Sequence, residues 1–588
     1  MKYFGFLFSF LIYVSSFSQD IPNNRLTRWD YCGLRDTSTV GFTTYTADQI
    51  GLIGDGLTDN SAILSTFLQQ VGESGTVLQL DSGTFLFQST INLPGHFVLR
   101  GLNAQHSRLV FDLNGSGNAI QCYGALLPTP YTLMEAATTF QSHVVVNNAS
   151  AFAANDFIKV SLNDSLLVTS SWAYGSVAQL ARVDHVNGDT LFLQSELRMD
   201  FPMNLHPKIQ KVLCKTNCGI ECLSIQRMDN TAPQQTSSIS YYCAANCWIQ
   251  GVESNYCTFA HVQASNSCNL AIRHSYFHDA FEYGDGGRGY GVDLEFSTGE
   301  CLVENNVFQH LRHSMLLQAG ANGNAFTYNF STDPFWETST PFIPSNSAGE
   351  CVLHGNYVFR NLFEMNSVGN MVIDNSHGAN GPYNTFLRNR GALFGIFFSD
   401  ATSPSQNFIG NEIPNTTFPY SAVNYTLQGN DHFEYANNNK GVITPAGSEL
   451  LPTLSYIYSS TPSFVDNENF ASIGSPNAMG SGIIPSEERA LLSAPLAGSC
   501  GVELPIYVEE IVQPNVVVYP NPNTGRFAIQ SNETILYVTF FDIQGKVLRK
   551  DFIFQSNAQL SMSEFKTGVY LIRIETLSCA SQRLIIRE

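Results

Sequence analysis

Short runs of alternating apolar and polar residues, separated by Gly, Asn, Asp and Pro, recur along most of the chain. Val77-Leu-Gln-Leu80, Thr84-Phe-Leu-Phe87 and Val98-Leu-Arg-Gly101 carry the period-two pattern of strands. One helical pattern precedes them, from about residue 61 to 70, with Asp59 or Asn60 as its cap and Ala62, Ile63 and Leu64 opening its apolar face. Residues 140–200 predict an extra β element, with Asp156-Phe-Ile-Lys-Val160 as a strand and Val186-Asn-Gly-Asp-Thr-Leu-Phe-Leu193 as a turn running into another. At the start, Lys2, the apolar residues 3–14 and Ser16-Phe17-Ser18 read as a signal peptide over 1–18. No later apolar run approaches 18 residues, so no transmembrane segment is expected.

The middle of the chain repeats. Apolar anchors in a loose N-x-Φ-x-x-N frame fall at Ile249, Ile272, Val303, Phe326, Phe363, Phe386, Ile409 and Phe433, spaced by 23, 31, 23, 37, 23, 23 and 24 residues. Phe308 rivals Val303. Asn324-Ala-Phe-Thr-Tyr-Asn329, Asn361-Leu-Phe-Glu-Met-Asn366 and Asn384-Thr-Phe-Leu-Arg-Asn389 show the frame in full. A period in the twenties with short strands marks a solenoid, in which each turn buries its inner face only by stacking on the next. The expected fold is all-β: a right-handed parallel β-helix with a small C-terminal β-sandwich. The asparagines read as structural ladders at tight turns.

A second strand precedes each anchor: Tyr290-Gly-Val-Asp-Leu-Glu295, Met315-Leu-Leu-Gln318, Cys351-Val-Leu-His354 and Met371-Val-Ile-Asp374. Strand alternation puts Asp293 and Glu295 on one face and Val292 and Leu294 on the other, and the apolar face must be the inner one. Counting back eight or nine residues from the anchors aligns Glu295, Gln318, His354, His377 and Asp400 as an outward polar column. Glycine follows both histidines, and the tetrapeptide Gly-Ala-Asn-Gly recurs at 320–323 and 378–381. Carboxylate, amide and imidazole together can move protons and steady a developing oxyanion.

Composition narrows the partners. Charged residues are only 13%, with 29 Lys and Arg against 49 Asp and Glu and a net charge of −20. Residues 216–439 contain no Lys, and no basic stripe occurs, which argues against nucleic acid. The 13 cysteines are open to disulfides or to burial as thiols in an exported chain; Cys214, Cys218, Cys222, Cys243 and Cys247 include no C-x-x-C pair, so zinc is not expected.

Two motifs resemble known families. Gly54-Asp-Gly-Leu-Thr-Asp-Asn-Ser-Ala-Ile63 resembles the N-terminal cap of the pectate-lyase superfamily, over residues 41–112, which implies the parallel β-helix without naming a substrate. Val516-Val-Val-Tyr-Pro-Asn-Pro522, Thr524-Gly-Arg-Phe527, Phe541-Asp-Ile-Gln-Gly545 and Phe565-Lys-Thr-Gly-Val-Tyr-Leu-Ile-Arg573 resemble the C-terminal sorting domain of the type IX secretion route. That resemblance implies contact with the type IX machinery and a secreted or cell-surface location after outer-membrane export. The division expected is a signal peptide (1–18), an N-terminal cap with its extra β element (19–200), the β-helix (201–500), a linker (501–513) and the sorting domain (514–588), as a monomer.

The catalytic candidates are His354, His377, Glu295, Gln318, Asp293, Asp374, Arg312 and His313. Aromatic and ionisable residues in two insertions, 278–290 and 331–349, suit a sugar platform: Glu282, Arg288 and Tyr290 in the first and Trp336 in the second, with Arg388 beyond a later anchor. No cofactor is required; Ca2+ is the metal these oxygens would take, at Asp279 and Asp285 with Asp293 and Asp374, although no EF-hand spacing exists. The leading expectation is a lyase cleaving a uronate-containing polysaccharide by β-elimination. The alternatives are a glycoside hydrolase using paired carboxylates and a non-catalytic glycan-binding or adhesion protein. The polygalacturonase Asp-Asp pair and Gly-His-Gly are missing from the central region, as are a lysine base and Arg-x-x-Arg, so the fold resemblance outruns any match of catalytic residues.

Overall fold

The computed structural model describes residues 21–35, 39–229, 235–284, 286–337, 344–422, 425, 427–465, 470–492, 496–498, 516–542, 546–576 and 580–588. The signal peptide, the 501–513 linker and Asp285 lie outside them.

The chain is a parallel β-helix. Two long sheets, of 12 and 20 strands among the described residues, run the length of the body, and neighbouring rungs pair in parallel. The anchors stack in register from Ile249 through Ile272, Val303, Phe326 and Phe363 to Phe386. Phe308 instead pairs with Phe277 on the other sheet. Beyond Phe386 the rung residues are Phe408 and Glu434, one position away from the expected Ile409 and Phe433. Phe326, Phe363, Phe386 and Phe408 form a face-to-face stack inside the solenoid with centroids 5.0, 5.0 and 5.2 Å apart, close to the rung spacing.

The two asparagines of the repeat build two ladders. Asn306, Asn329, Asn366, Asn389 and Asn411 each donate a backbone N–H to the side-chain oxygen of the next rung at 3.0–3.1 Å, ending on Asn437. Asn324, Asn361 and Asn384 do the same towards Gln406. All are buried, and the side-chain N–H groups donate along the same ladder and to rung carbonyls, so amides that would otherwise be costly to desolvate are paired.

The solenoid begins earlier than the sequence indicated. Thr43–Thr46, Thr76–Gln79 and Phe97–Arg100 already belong to the 12-stranded sheet, and the last pairs directly with Cys218–Glu221. Residues 125–213 leave the coil between them and fold into a six-stranded antiparallel sheet with its own core of Val144, Ile158, Val160, Val183 and Leu191. The extra β element is thus wider than 140–200. The helix Ser61–Val71 packs Leu64, Phe67 and Leu68 onto the first coils. Asn60 precedes it but does not cap it; its side chain instead accepts from the Ile53 N–H at 2.8 Å. At the C-terminus, five antiparallel strands between Val517 and Arg587 surround Phe527, Val538, Phe540, Ile572 and Ile585.

Candidate active site

The strands Tyr290–Glu295, His313–Leu317, Cys351–Leu353, Ser367–Ile373 and Arg390–Phe398 lie side by side in the 20-stranded sheet. Val292, Leu294, Met315, Leu317, Leu353 and Ile373 face the solenoid core. The intervening residues therefore face outward and floor a cleft of about 1160 Å³. Glu295, Gln318, His354 and His377 all line it, with Asp374, Arg312, His313, Tyr290 and Trp336.

Register decides the order along the floor. Leu294, Leu317, Leu353, Ile373 and Phe398 are successive rung partners, so the residues after them, Glu295, Gln318, His354, Asp374 and Ser399, form the column. Two expected members are displaced. His377 lies three residues past its rung position, which Asp374 takes, because that coil carries a longer turn. Asp400 falls one past Ser399, where it accepts from the Thr402 hydroxyl and the Asn375 amide. The outward column is also far less exposed than expected: Glu295, Gln318 and His354 keep only 5–7% of their surface and Asp293 none. They lie under walls that do not belong to the solenoid.

At one end of the floor, Gln318 Nε2 donates to Asp293 Oδ2 at 3.1 Å and to Glu295 Oε2 at 3.0 Å. Gln263 Nε2 donates to the other oxygen of Glu295 at 2.7 Å. Burial raises the pKa of both carboxyls despite these bonds, and the charge of Glu295 adds to the rise at Asp293. Glu295 is pushed up to about 7 and Asp293 well above its usual range, so this corner holds at least one proton at neutral pH.

The other end is a histidine cluster. His354 Nδ1 lies 2.6 Å from Asp374 Oδ2. His377 packs edge-on against His354 with ring centroids 4.8 Å apart, and His313 lies 5.7 Å from His354 on the other side. Burial would raise Asp374, but His354 and the Ser376 hydroxyl and N–H hold it below the usual carboxylate range. Burial lowers His377, and the neighbouring His354 and Arg312 charges lower it further. His313 is driven down by burial and by the Arg312 and His354 charges; its Nδ1 donates to the Gly349 carbonyl at 2.8 Å, which leaves Nε2 as the free lone pair.

Arg312 spans the cleft. Its guanidinium lies 5.8 Å from the Tyr290 ring and 5.7 Å from Trp336, and it donates to the Gly284 carbonyl. Burial keeps the Tyr290 phenol protonated. The opposite wall comes from the antiparallel insertion: Trp172 meets His377 edge-on at 5.5 Å and Phe296 at 5.9 Å. Trp172 comes from a distant insertion, and nothing in repeat spacing says that it folds back over the floor; Gln263 and Phe259 belong to the coil before Tyr290–Glu295, one coil short of where the expected column began. Trp172 in the polar run Thr169-Ser-Ser-Trp172 was one cue, and Gln263, nine residues before the anchor Ile272, was another.

Several expected residues lie elsewhere. Arg388 is fully buried and donates to the carbonyls of Leu451, Thr453, Ile473 and Ser475, which fastens the segment after the last coils to the solenoid. Glu282 and Arg288 pair with each other at 2.8 Å beside the cleft without lining it. Asp279 pairs with His278 at 2.9 Å, Asp293 with Gln318, and Asp374 with His354, and among the described residues these three aspartates form no joint cation site.

Structural comparison returns other β-helix proteins at low identity. The tailspike gp49 of Pseudomonas phage LKA1 is 16% identical, covering 64% of this chain and 65% of that one, at a TM-score of 0.49. This chain thus spans a little less than two thirds of that tailspike. The gp54 tailspike of Acinetobacter baumannii bacteriophage AP22, solved with a capsular saccharide, is 13% identical over 69% and 72% at 0.38. An exopolygalacturonase from Thermotoga maritima is 12% identical over 64% and 83% at 0.34. No curated protein matches the sequence. Residues 517–587, however, match the secretion system C-terminal sorting domain. No described helix is long and apolar enough to cross a membrane. The chain is a parallel β-helix protein that carries a type IX sorting domain and is delivered to the cell surface or beyond.

Proposed function

We propose that this protein is a polysaccharide lyase acting on a uronate-containing glycan by β-elimination. The observation that carries the reading is the imidazole cluster backed by Asp374, set beside Arg312 in a long cleft. The cleft volume exceeds that of ordinary small-molecule pockets, which suits several sugar rings. Trp172 and Trp336 offer flat apolar faces to those rings.

The chemistry follows from charge. Arg312 pairs with the uronate carboxylate, and the protonated Glu295–Asp293 corner adds a hydrogen-bond donor as charge builds on that group. His377, held neutral, takes the proton on the carbon next to the carboxyl, while the contact of His354 with Asp374 fixes the cluster. The electron pair left on that carbon forms the new double bond as the glycosidic oxygen departs. Tyr290, still protonated, supplies that oxygen with its proton.

A second reading, a glycoside hydrolase, is favoured by one observation: Glu295 is pushed up to about 7 while Asp374 is held down, the split expected of an acid and a base. Two variants separate the readings on acidic polysaccharides. Under elimination, His377→Ala falls by about 10² or more while Glu295→Gln, which keeps a donor at that corner, stays within about tenfold of the parent. The reverse order, with Glu295→Gln inactive and His377→Ala near the parent, would establish the hydrolase instead. Glycan binding with no turnover by the parent would make the cleft a binding site.

A further inference from the structure

Inside the solenoid, on the coils just before the Gln263 end of the cleft floor, three cysteines from different coils meet. Cys122 lies in the strand Ile120–Tyr123, Cys218 opens Cys218–Glu221, and Cys247 immediately precedes Trp248–Gln250. Gly219 pairs with Trp248, so Cys218 and Cys247 occupy the same turn position on successive rungs. Their three sulfurs lie within 4.8 Å of one another, and all three residues are buried. Tyr241, the rung partner of Cys122, is 1% exposed, and its hydroxyl has no hydrogen-bond partner.

Simple packing does not account for the group. At the equivalent turn of later coils, Asn361 bonds the carbonyl two residues back, and Cys301 does so with its thiol. Cys218 and Cys247 could serve that turn alone, as Cys301 does. What is added is a third sulfur from the opposite sheet and an orphaned phenol beside all three. An unsatisfied buried hydroxyl is costly and calls for a partner.

We propose that Cys122, Cys218 and Cys247 bind one thiophilic cation, Zn2+ or Cu+, with the Tyr241 oxygen as fourth donor. Each thiol releases its proton as its sulfur–metal bond forms, and the phenol stays neutral. Metal–sulfur bonds near 2.3 Å place tetrahedral sulfurs about 3.8 Å apart, inside the observed limit. Cys122 and Cys218, at 2.8 Å, open by about 1 Å to admit the ion. The lack of C-x-x-C spacing hid this site, because stacking supplies the proximity that local spacing supplies in short zinc motifs.

The test is metal content. The purified full chain is incubated with Zn2+ or, under reducing conditions, with Cu+, then desalted and analysed by elemental mass spectrometry. About one tightly held ion per chain is expected. Cys122→Ala, Cys218→Ser and Cys247→Ser should each hold less than about one tenth of that, while Cys301→Ser keeps it. Should those variants fail to fold, the parent loaded with Co2+ decides alone, through thiolate-to-cobalt charge-transfer absorption. An ion content far below one in the parent, no such absorption, retention of metal by the folded cluster variants, or peptide mapping that joins Cys122 to Cys218 in a disulfide would each overturn the site.

Discussion

Glu295 shows how one residue takes its chemistry from its surroundings. Strand parity already put it on the outward face with Asp293, but only the walls of the cleft explain why it is pushed up to about 7. A carboxyl raised from 4.5 in the unfolded chain to about 7 in the folded one favours the native state fully below 4.5, and that support is lost as pH rises through 7. Glu364, also raised to about 7, and Glu350, raised to about 8, act in the same direction. The burial-lowered His261, His313 and His377 act the opposite way over the same range, so the Glu295 contribution is read as the difference between parent and variant from about pH 5 to 8. Glu295→Gln, with no proton to lose, should fall less steeply, by roughly 3 kcal/mol at pH 8 relative to pH 5. Parallel melting curves for parent and variant across that range check this, and equal slopes would mean that Glu295 ionises freely in the fold.

Most of the repeat was legible because identical side chains must stack. Asparagine and phenylalanine at fixed spacing are ladder and core residues, and six of the eight anchors fall on their rungs. Turn length was not legible, since a loop can lengthen without changing the repeat on either side. That is why counting back from Phe386 reached His377 where the rung holds Asp374. The same longer turn brings His377 over His354, and Gly355 permits the approach. Its φ is +83°, and a Cβ there would lie 2.7 Å from the Gly378 carbonyl oxygen and 2.8 Å from the His377 carbonyl carbon. Gly355→Ala should thus displace the His377 turn. Turnover is expected to fall at least about tenfold, and stability by about 1–2 kcal/mol. Steady-state kinetics with a melting curve test this, and an unchanged rate would place His377 outside the reaction.

At the scale of the molecule, three parts with different sequence signatures divide the work. The solenoid supplies a rigid floor, the antiparallel insertion at 125–213 supplies the Trp172 wall, and the C-terminal domain directs export. Floor and export domain were readable from repeats and motifs. The wall was not, since its contact with the floor spans about two hundred residues of sequence and leaves no periodic trace. The export domain places the cleft outside the cell. The most direct measurement incubates the full chain with a panel of acidic and neutral polysaccharides and records new reducing ends and ultraviolet absorbance together. Elimination predicts that, on a uronate-containing glycan, each new reducing end appears with one conjugated double bond, so the two signals rise in proportion. Reducing ends without absorbance, or no product from any acidic glycan, would contradict it.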